Sequence, residues 1–258
     1  MADEQRKKLV WITGSSTGIG AGAAKELVRR GYRVAGTARS EDKLSQLAEE
    51  LGTDFYSYPG DVTDSAQMQS VVDEIENTHG PIDCVLLNAG SAQLEEGGFS
   101  SENFEWHFKV NVFGTGRALE PVLNRMVERK SGHVAIVASV AGYRGLPRSL
   151  SYGPTKAALI NFAEALNITM AAHNIKVQVI NPGFVDTPLT RKNDFHMPML
   201  MPVEKAAEAL VNGLESRRFE ITFPKTFALM LKFIGALPDP LYFWMVRKGL
   251  ERAMAQKD

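Results

Sequence analysis

The chain has 258 residues, of which 44% are hydrophobic, and its 29 basic and 30 acidic residues give a formal net charge of −1. This balance removes the general electrostatic argument for a nucleic-acid partner and favours a small molecule or a protein. A single cysteine, Cys84, excludes an internal disulfide and fits a reducing cytoplasm.

The sequence shows neither a secretory signal nor a spanning segment. The N-terminal stretch MADEQRKK is charged and lacks the apolar core of a signal. The most hydrophobic late stretch, FALMLKFIGALPDPLYFWMV, is interrupted by Lys232 and by PDP, whereas a spanning helix needs roughly 18 to 20 apolar residues. We therefore expect a cytoplasmic protein with no spanning membrane segment.

Short β-rich runs alternate with longer segments of helical spacing. The predicted strands are, in chain order, KLVWIT, YRVAGTA, DFYSYPG, IDCVLLN, GHVAIVAS, IKVQVIN and FEITF. The predicted helices cover residues 18–30, 41–51, 64–79, 101–129, 151–173 and 203–216. Such alternation is typical of βαβ units, and the nearly continuous apolar strands indicate a parallel sheet buried on both faces. We predict one α/β domain over residues 1–258, with a doubly wound sheet of about seven strands and helices on both faces.

The first strand is followed by TGSSTGIG, residues 13–20, at the start of a helix. A glycine-rich turn in this position brings backbone N–H groups against a pyrophosphate, at the positive end of the helix dipole. Gly14 would permit the tight turn, Gly18 a close approach to the phosphates, and Gly20 close packing of helix on strand. The missing G-K-S/T ending disfavours a nucleoside triphosphatase. A purely structural turn is the alternative.

The second strand ends without the acidic residue that would bind the ribose 2′-hydroxyl of NAD. Arg39 follows it, and an arginine can bind the 2′-phosphate of NADP bidentately, with Thr37 adding a hydroxyl donor. A solvated arginine at a strand end is the alternative reading. We predict NADP(H) as the cofactor, with NAD(H) less favoured.

The motif YGPTK places Tyr152 and Lys156 four residues apart, on one face of a helix. A free tyrosine has a pKa near 10, so a proton donor at neutral pH needs a lower pKa, and a nearby cation supplies part of that shift. An isolated motif of this kind is usually a pair of surface neighbours. Ser139, however, lies thirteen residues upstream at the carboxyl end of a predicted strand, where open α/β sheets bind ligands.

In their order, these motifs resemble the short-chain dehydrogenase/reductase family, in its single-domain form, over residues 7–222. TGSSTGIG resembles the cofactor turn of that family, DVTD its adenine-side segment, NAG its sheet-stabilising motif and NPGFVDT its nicotinamide-side loop. The resemblance implies a Rossmann-type fold, and it implies a homodimer or homotetramer, since many relatives form them.

The resemblance also implies roles for single residues. Tyr152 would donate a proton to the substrate oxygen, and Lys156 would lower the pKa of Tyr152 and hold the nicotinamide ribose. Ser139 would orient the carbonyl, and Asn111, in KVNVFGT, would anchor a water that relays protons through Lys156. The expected cofactor-binding residues are Gly14, Ser16, Gly18, Ile19, Gly20, Thr37, Arg39, Asp61, Val62, Asn88, Ala89, Gly90, Tyr152, Lys156, Pro182, Gly183, Val185 and Thr187.

Pro154 departs from the small residues that the family commonly has between the tyrosine and the lysine. A proline is tolerated there if Ser149 or Ser151 starts the helix, because N–H groups in the first turn lack intrahelical acceptors.

Two late segments are predicted to shape the substrate pocket. Residues 189–216 comprise a methionine-rich lid region and the helix that follows it, with a packed surface loop as the alternative. Residues 223–258 form an apolar extension that would pack on the core, pair subunits, cover the substrate mouth or make a peripheral membrane contact. We predict no metal site, because no second histidine or cysteine lies at ligand spacing from His196.

The predicted function is an NADPH-dependent oxidoreductase that interconverts a hydrophobic ketone or aldehyde and its alcohol, with Tyr152 as general acid/base. The alternative is a protein that binds NADP(H) as a sensor, without turnover. A dehydratase or epimerase on the same scaffold is disfavoured by the short chain and the form of the glycine turn.

Overall fold

The structure, a computed structural model, describes residues 6–93, 98–195 and 197–255, and the side chains up to residue 249. Its centre is a seven-stranded sheet in the order β3-β2-β1-β4-β5-β6-β7, and all neighbouring strands are parallel. The strands are β1 Leu9–Thr13, β2 Arg33–Ala38, β3 Phe55–Pro59, β4 Cys84–Leu87, β5 Gly132–Val137, β6 Ile175–Pro182 and β7 Glu220–Phe223. The predicted doubly wound α/β fold is confirmed.

Helices connect and flank the strands. They are α1 Gly18–Arg29, α2 Glu41–Leu51, α3 Ser65–His79, α4 Ser101–His107, α5 Gly114–Arg129, α6 Tyr152–Met170, α7 Val203–Glu215, α8 Lys225–Gly235 and α9 Asp239–Ala255. Within the described ranges, no helix has both the length and the apolar character needed to cross a membrane.

Two predicted helices differ in the structure. The predicted helix 101–129 is divided by a π-helical segment, Phe108–Phe113, between α4 and α5. The predicted helix 151–173 begins one residue later, at Tyr152, and ends at Met170, where a 3₁₀ turn replaces its last three residues. Ser151 therefore precedes α6, so Pro154 lies in its first turn, where the sequence required it to lie.

The core consists of two apolar layers, one on each face of the sheet. Leu9 and Trp11 of β1 point into the layer built with α3, α5 and α6. Val10 and Ile12 point into the opposite layer, built with α1, α2 and α7. Alternation of side chains along a strand explains why β1 is apolar at consecutive positions, since both of its faces are buried.

The strand order reverses at β1, because β2 and β4 lie on opposite sides of it. Thr13 and Leu87, the last residues of β1 and β4, are in register. The glycine turn after β1 and the NAG motif after β4 therefore face each other across the crevice where open α/β sheets bind their ligands.

The apolar extension forms two helices, α8 and the following α9. Phe227 and Ala228 of α8 pack with Val140, which follows β5. We call residues 225–249 the C-terminal hairpin; it lies beside the carboxyl end of the sheet.

Candidate active site

A cavity of about 420 Å³ opens at the carboxyl ends of the central strands. It is lined by Ser139 and by the predicted cofactor-binding residues other than Gly20, namely Gly14, Ser16, Gly18, Ile19, Thr37, Arg39, Asp61, Val62, Asn88, Ala89, Gly90, Tyr152, Lys156, Pro182, Gly183, Val185 and Thr187. Residues far apart in the sequence thus share one site.

The glycine turn brings its backbone close to neighbouring backbone segments. Gly14 has a φ of +69°, and a Cβ added to it would lie 2.8 Å from the Cα of Ala89. Gly20 does not line the cavity; a Cβ there would lie 2.2 Å from the carbonyl oxygen of Gly14, so Gly20 packs α1 onto the turn, as its spacing predicts. Side chains at these positions would displace the backbone that meets the ligand.

Asn88 fixes the position of the NAG segment relative to β1. Its Nδ2 donates to the carbonyl oxygens of Thr13, at 3.1 Å, and of Gly14, at 2.9 Å. The backbone N–H groups of Asn88 and Ala89 both donate to Oγ1 of Thr13. These bonds close the turn into a rigid cradle, whose shape fits the pyrophosphate of a dinucleotide.

Basic side chains stand at the other end of the cavity. Arg39, which is exposed, lines its wall together with Ser40 and Lys43. Sequence reasoning missed Ser40 and Lys43, although Lys43 lies four residues after Arg39, in the first turn of α2. Two cations and a hydroxyl at a helix N-terminus match the donor set for an additional phosphate.

Thr37 also has a structural role, beside the predicted one as a hydroxyl donor. Its side chain is fully buried, and its Oγ1 accepts a hydrogen bond from Nε1 of Trp11 at 2.9 Å. Its carbonyl oxygen accepts from the N–H of Gly14 at 2.7 Å. Thr37 therefore holds the glycine turn against the end of β2.

Ser139, Tyr152 and Lys156 meet on one wall of the cavity. Ser139 follows β5 by two residues, and its Oγ accepts from the N–H of Ala141 at 3.1 Å. Tyr152 begins α6, and the Ser139 side chain opposes part of the rise in its pKa. Lys156, one turn further, is buried, and its Nζ lies 5.5 Å from the centre of the Tyr152 ring.

Burial dominates the proton affinities of this group. It raises the pKa of Tyr152 to about 12, against the opposing effect of the hydrogen bond to Ser139. It lowers the pKa of Lys156 to about 8, and the Nζ of Lys156 donates to the carbonyl oxygen of Val137 at 3.0 Å. The pKa of Tyr152 is therefore raised in this structure, where a lowering by Lys156 was expected, because burial disfavours the charged phenolate.

Asn111 lies in the π-helical segment, is fully buried and does not line the cavity. Its Oδ1 accepts from the N–H of Ser91 at 2.8 Å, and its Nδ2 donates to Thr155 Oγ1 at 3.1 Å and to the Ser91 carbonyl oxygen. Asn111 thus ties the segment after β4 to the first turn of α6. Wide turns of this kind often occur at functional sites.

The substrate side adds cavity-lining residues that the sequence did not single out. Trp106 and Val110 project from α4 and the π-helical segment, four residues apart on one helical face. Leu189 and Thr190, at the start of the predicted lid region, also line the cavity. The end of that region is held by Met201, whose N–H donates to the Phe184 carbonyl oxygen.

The loop between Ser139 and Tyr152 is held by the C-terminal hairpin. Nη1 of Arg144 donates to the carbonyl oxygens of Gly235 and Leu237, both at 2.7 Å. The guanidinium of Arg144 also stacks 3.8 Å from the centre of the Tyr242 ring, and the Tyr242 hydroxyl donates to the Gly145 carbonyl oxygen at 2.6 Å. We call these contacts the loop clamp.

No group of three or more metal-ligating side chains occurs in the part of the chain that the structure describes. His196 lies outside the described residues.

Known proteins similar to this chain share its pattern. The family model described as short chain dehydrogenase matches residues 8–197. A Myxococcus xanthus protein described as an uncharacterized oxidoreductase is 33% identical over 93% of this chain and 96% of its own. The 3-oxoacyl-acyl-carrier-protein reductase FabG of Salmonella typhimurium is 32% identical over 71% of this chain and 76% of its own. A solved structure of ElxO with NADP bound aligns with a TM-score of 0.77 at 24% identity, covering 84% of this chain and 97% of that one.

Proposed function

Because this chain belongs to the short-chain dehydrogenase/reductase family, we propose that it is an NADPH-dependent oxidoreductase interconverting a hydrophobic ketone or aldehyde and its alcohol. One observation carries the proposal: Ser139, Tyr152 and Lys156 share one wall of a cavity that has Arg39 at its other end. The similarity to a 3-oxoacyl reductase supports carbonyl reduction as the reaction class.

The three side chains divide the proton chemistry among them. NADPH, when bound, supplies the hydride that reduces the carbonyl carbon. Tyr152 donates its phenolic proton to the carbonyl oxygen as negative charge develops there, and the Ser139 hydroxyl donates a hydrogen bond to the same oxygen. Lys156, in its protonated form, stabilises the phenolate that Tyr152 becomes.

Asn111 positions the segments around Lys156 without lining the cavity. Its bonds to Ser91 and Thr155 hold the segment after β4 against the first turn of α6, which carries Lys156. A water held near Asn111, returning a proton to Tyr152 through Lys156, stays a prediction.

Arg39, Ser40 and Lys43 would hold the 2′-phosphate that distinguishes NADP from NAD. The glycine turn would hold the pyrophosphate, and Pro182, Gly183, Val185 and Thr187 would line the nicotinamide side. The similarity to ElxO, solved with NADP bound, supports this choice of cofactor.

We also propose that the protein forms a homodimer or homotetramer. Exposed apolar side chains that do not line the cavity support a subunit contact: Phe113 at the end of the π-helical segment, and Phe162 and Ile168 on α6.

The test of the function is NADPH oxidation over a panel of hydrophobic ketones and aldehydes, with wild type beside Tyr152→Phe. Removing the phenolic proton should lower kcat by about 10²- to 10⁴-fold and leave NADPH binding unchanged. Tyr58→Phe, a substitution of a buried tyrosine on β3, is the matched control and should retain full turnover.

Turnover that survives Tyr152→Phe would contradict the mechanism. NADPH binding without turnover on any member of the panel would instead favour the non-catalytic alternative.

A further inference from the structure

The C-terminal hairpin has an inner face that is fixed to the body of the protein. Phe227 of α8 and Tyr242 of α9 are buried. Arg144 binds the turn between the two helices through the carbonyl oxygens of Gly235 and Leu237. Both helices therefore turn one face toward residues 140–146 and the other face away from the protein.

The outer face is strongly apolar. Leu229 and Phe233 on α8 are 70% and 72% exposed, and Phe243 and Trp244 on α9 are 50% and 53% exposed. Leu229 and Phe233 are four residues apart, so they share one side of α8. Exposed apolar side chains concentrated on two consecutive helices mark a contact with a protein or a membrane.

Cations lie on the same two helices as these apolar side chains. The C-terminal hairpin, residues 225–249, contains four basic residues and one acidic residue, whereas the whole chain contains 29 basic and 30 acidic ones. Lys225, Arg247 and Lys248 are exposed, and none of them forms an ion pair with a described acidic side chain. Asp239, the acidic residue at the start of α9, is already bound to Arg144. The net charge of the hairpin surface is thus positive.

The charge distinguishes between the possible occupants of this surface. In a symmetric contact with a second copy, the same patch would face itself, and its uncompensated cations would repel one another. An anionic lipid surface complements them, and Lys side chains next to Trp and Phe on a helix are typical of interfacial binding. We propose that the outer face of the C-terminal hairpin docks the protein on an anionic membrane surface.

In this docking, Leu229, Phe233, Phe243 and Trp244 enter the boundary between headgroups and acyl chains. Lys225, Arg247 and Lys248 contact the anionic headgroups. The loop clamp then places the loop beside Ser139 close to the lipid, because Arg144 and Tyr242 join that loop to the docked helices.

Vesicle flotation tests the proposal with the full-length protein. Wild type should bind vesicles of phosphatidylcholine with about 30 mol% phosphatidylglycerol at low salt. It should bind vesicles of phosphatidylcholine alone much more weakly. Arg247→Gln combined with Lys248→Gln should weaken binding by about 25-fold, since each cation near the surface contributes about fivefold. Phe233→Ser combined with Trp244→Ser should abolish binding.

Ile168→Ser is the matched control, because Ile168 is 77% exposed, close to the 72% of Phe233, but lies on α6. It should bind the vesicles as wild type does, and all variants should retain NADPH binding and turnover, which shows that they are folded. A fluorescence blue shift on vesicle binding that Trp244→Phe removes would support insertion of this side chain.

Wild type that fails to float with the anionic vesicles would overturn the proposal. So would hairpin variants that change a dimer to a monomer in light scattering while vesicle binding is unchanged, since the patch would then be a subunit contact.

Discussion

The cofactor end and the substrate end of the cavity are built in different ways. At the cofactor end, backbone groups meet directly, as where the N–H of Gly14 donates to the Thr37 carbonyl oxygen. Behind the substrate end, long side chains bridge distant segments, as where Arg144, which does not line the cavity, reaches Gly235 and Leu237, more than ninety residues away. The first end tolerates almost no added atoms, whereas the second depends on a few replaceable contacts.

We expect the largest loss of ligand affinity from a substitution at the cofactor end, where backbone groups meet directly. Gly14→Ala forces a side chain into a left-handed conformation and within 2.8 Å of Ala89 Cα. We expect NADPH to bind about 100-fold more weakly, from roughly 1 to 3 kcal/mol of backbone strain plus the displaced cradle. Isothermal titration calorimetry with NADPH measures the change.

Gly116→Ala is the control for this substitution, because a Cβ there meets nothing within 4 Å and the residue lies in α5. Equal NADPH affinities for Gly14→Ala and Gly116→Ala would contradict the claim that the cofactor end tolerates almost no added atoms.

Arg39→Ala removes a side chain rather than a backbone constraint, and so should have a smaller effect. We expect the KM for NADPH to rise about tenfold, because a charge-assisted hydrogen bond to an exposed phosphate is lost. The KM for NADH should change less than twofold. Lys43→Ala should likewise raise the KM for NADPH relative to the KM for NADH. An unchanged KM for NADPH in both variants would refute the phosphate site.

The pH dependence of kcat/KM tests the charge of Lys156, which lines the cavity beside Tyr152. Its pKa is lowered to about 8, so the ammonium is fully present at pH 6 and is lost as the pH rises through 8. The kcat/KM for carbonyl reduction should therefore fall about tenfold between pH 7 and pH 9, since the phenolate of Tyr152 loses its cation. A profile that stays flat to pH 9 would show that the charge of Lys156 is not needed.

The smallest effect is expected at the loop clamp. Arg144→Ala should raise the KM for the carbonyl substrate about fivefold, because the loop beside Ser139 loses a partly buried anchor worth about 1 kcal/mol. NADPH affinity should not change. Arg125→Ala, which removes an arginine of similar exposure from α5, is the control and should leave both constants unchanged. A parallel loss of NADPH affinity in Arg144→Ala would mean that the two ends are not separable.

The same contrast explains what the sequence could reveal. The strands, the glycine turn and the grouping of Ser139 with Tyr152 follow from local patterns, because parallel strands end at one edge of a sheet. The roles of the glycines can be predicted from the sequence, because each glycine is needed at a single position where a side chain would not fit.

Other features have no local signature. The π-helical segment around Asn111 adds one residue per turn to an otherwise ordinary amphipathic pattern. The loop clamp joins Gly145 to Tyr242 across 97 residues without any shared periodicity. The pKa of Tyr152 depends on how completely the fold buries it, which the neighbouring lysine in the motif does not indicate.

The loop clamp also bears on the order in which the molecule is completed. A chain emerging from the ribosome presents Ser139 and Tyr152 long before residues 235–242, which hold the loop between them. A domain folds as a unit, and its complete sheet, β1 to β7, emerges first, so the cofactor end can form while the C-terminal hairpin is still being synthesised. The substrate end then becomes complete only with the final helices, and a chain that stops after β7 would bind its cofactor without an ordered place for its substrate.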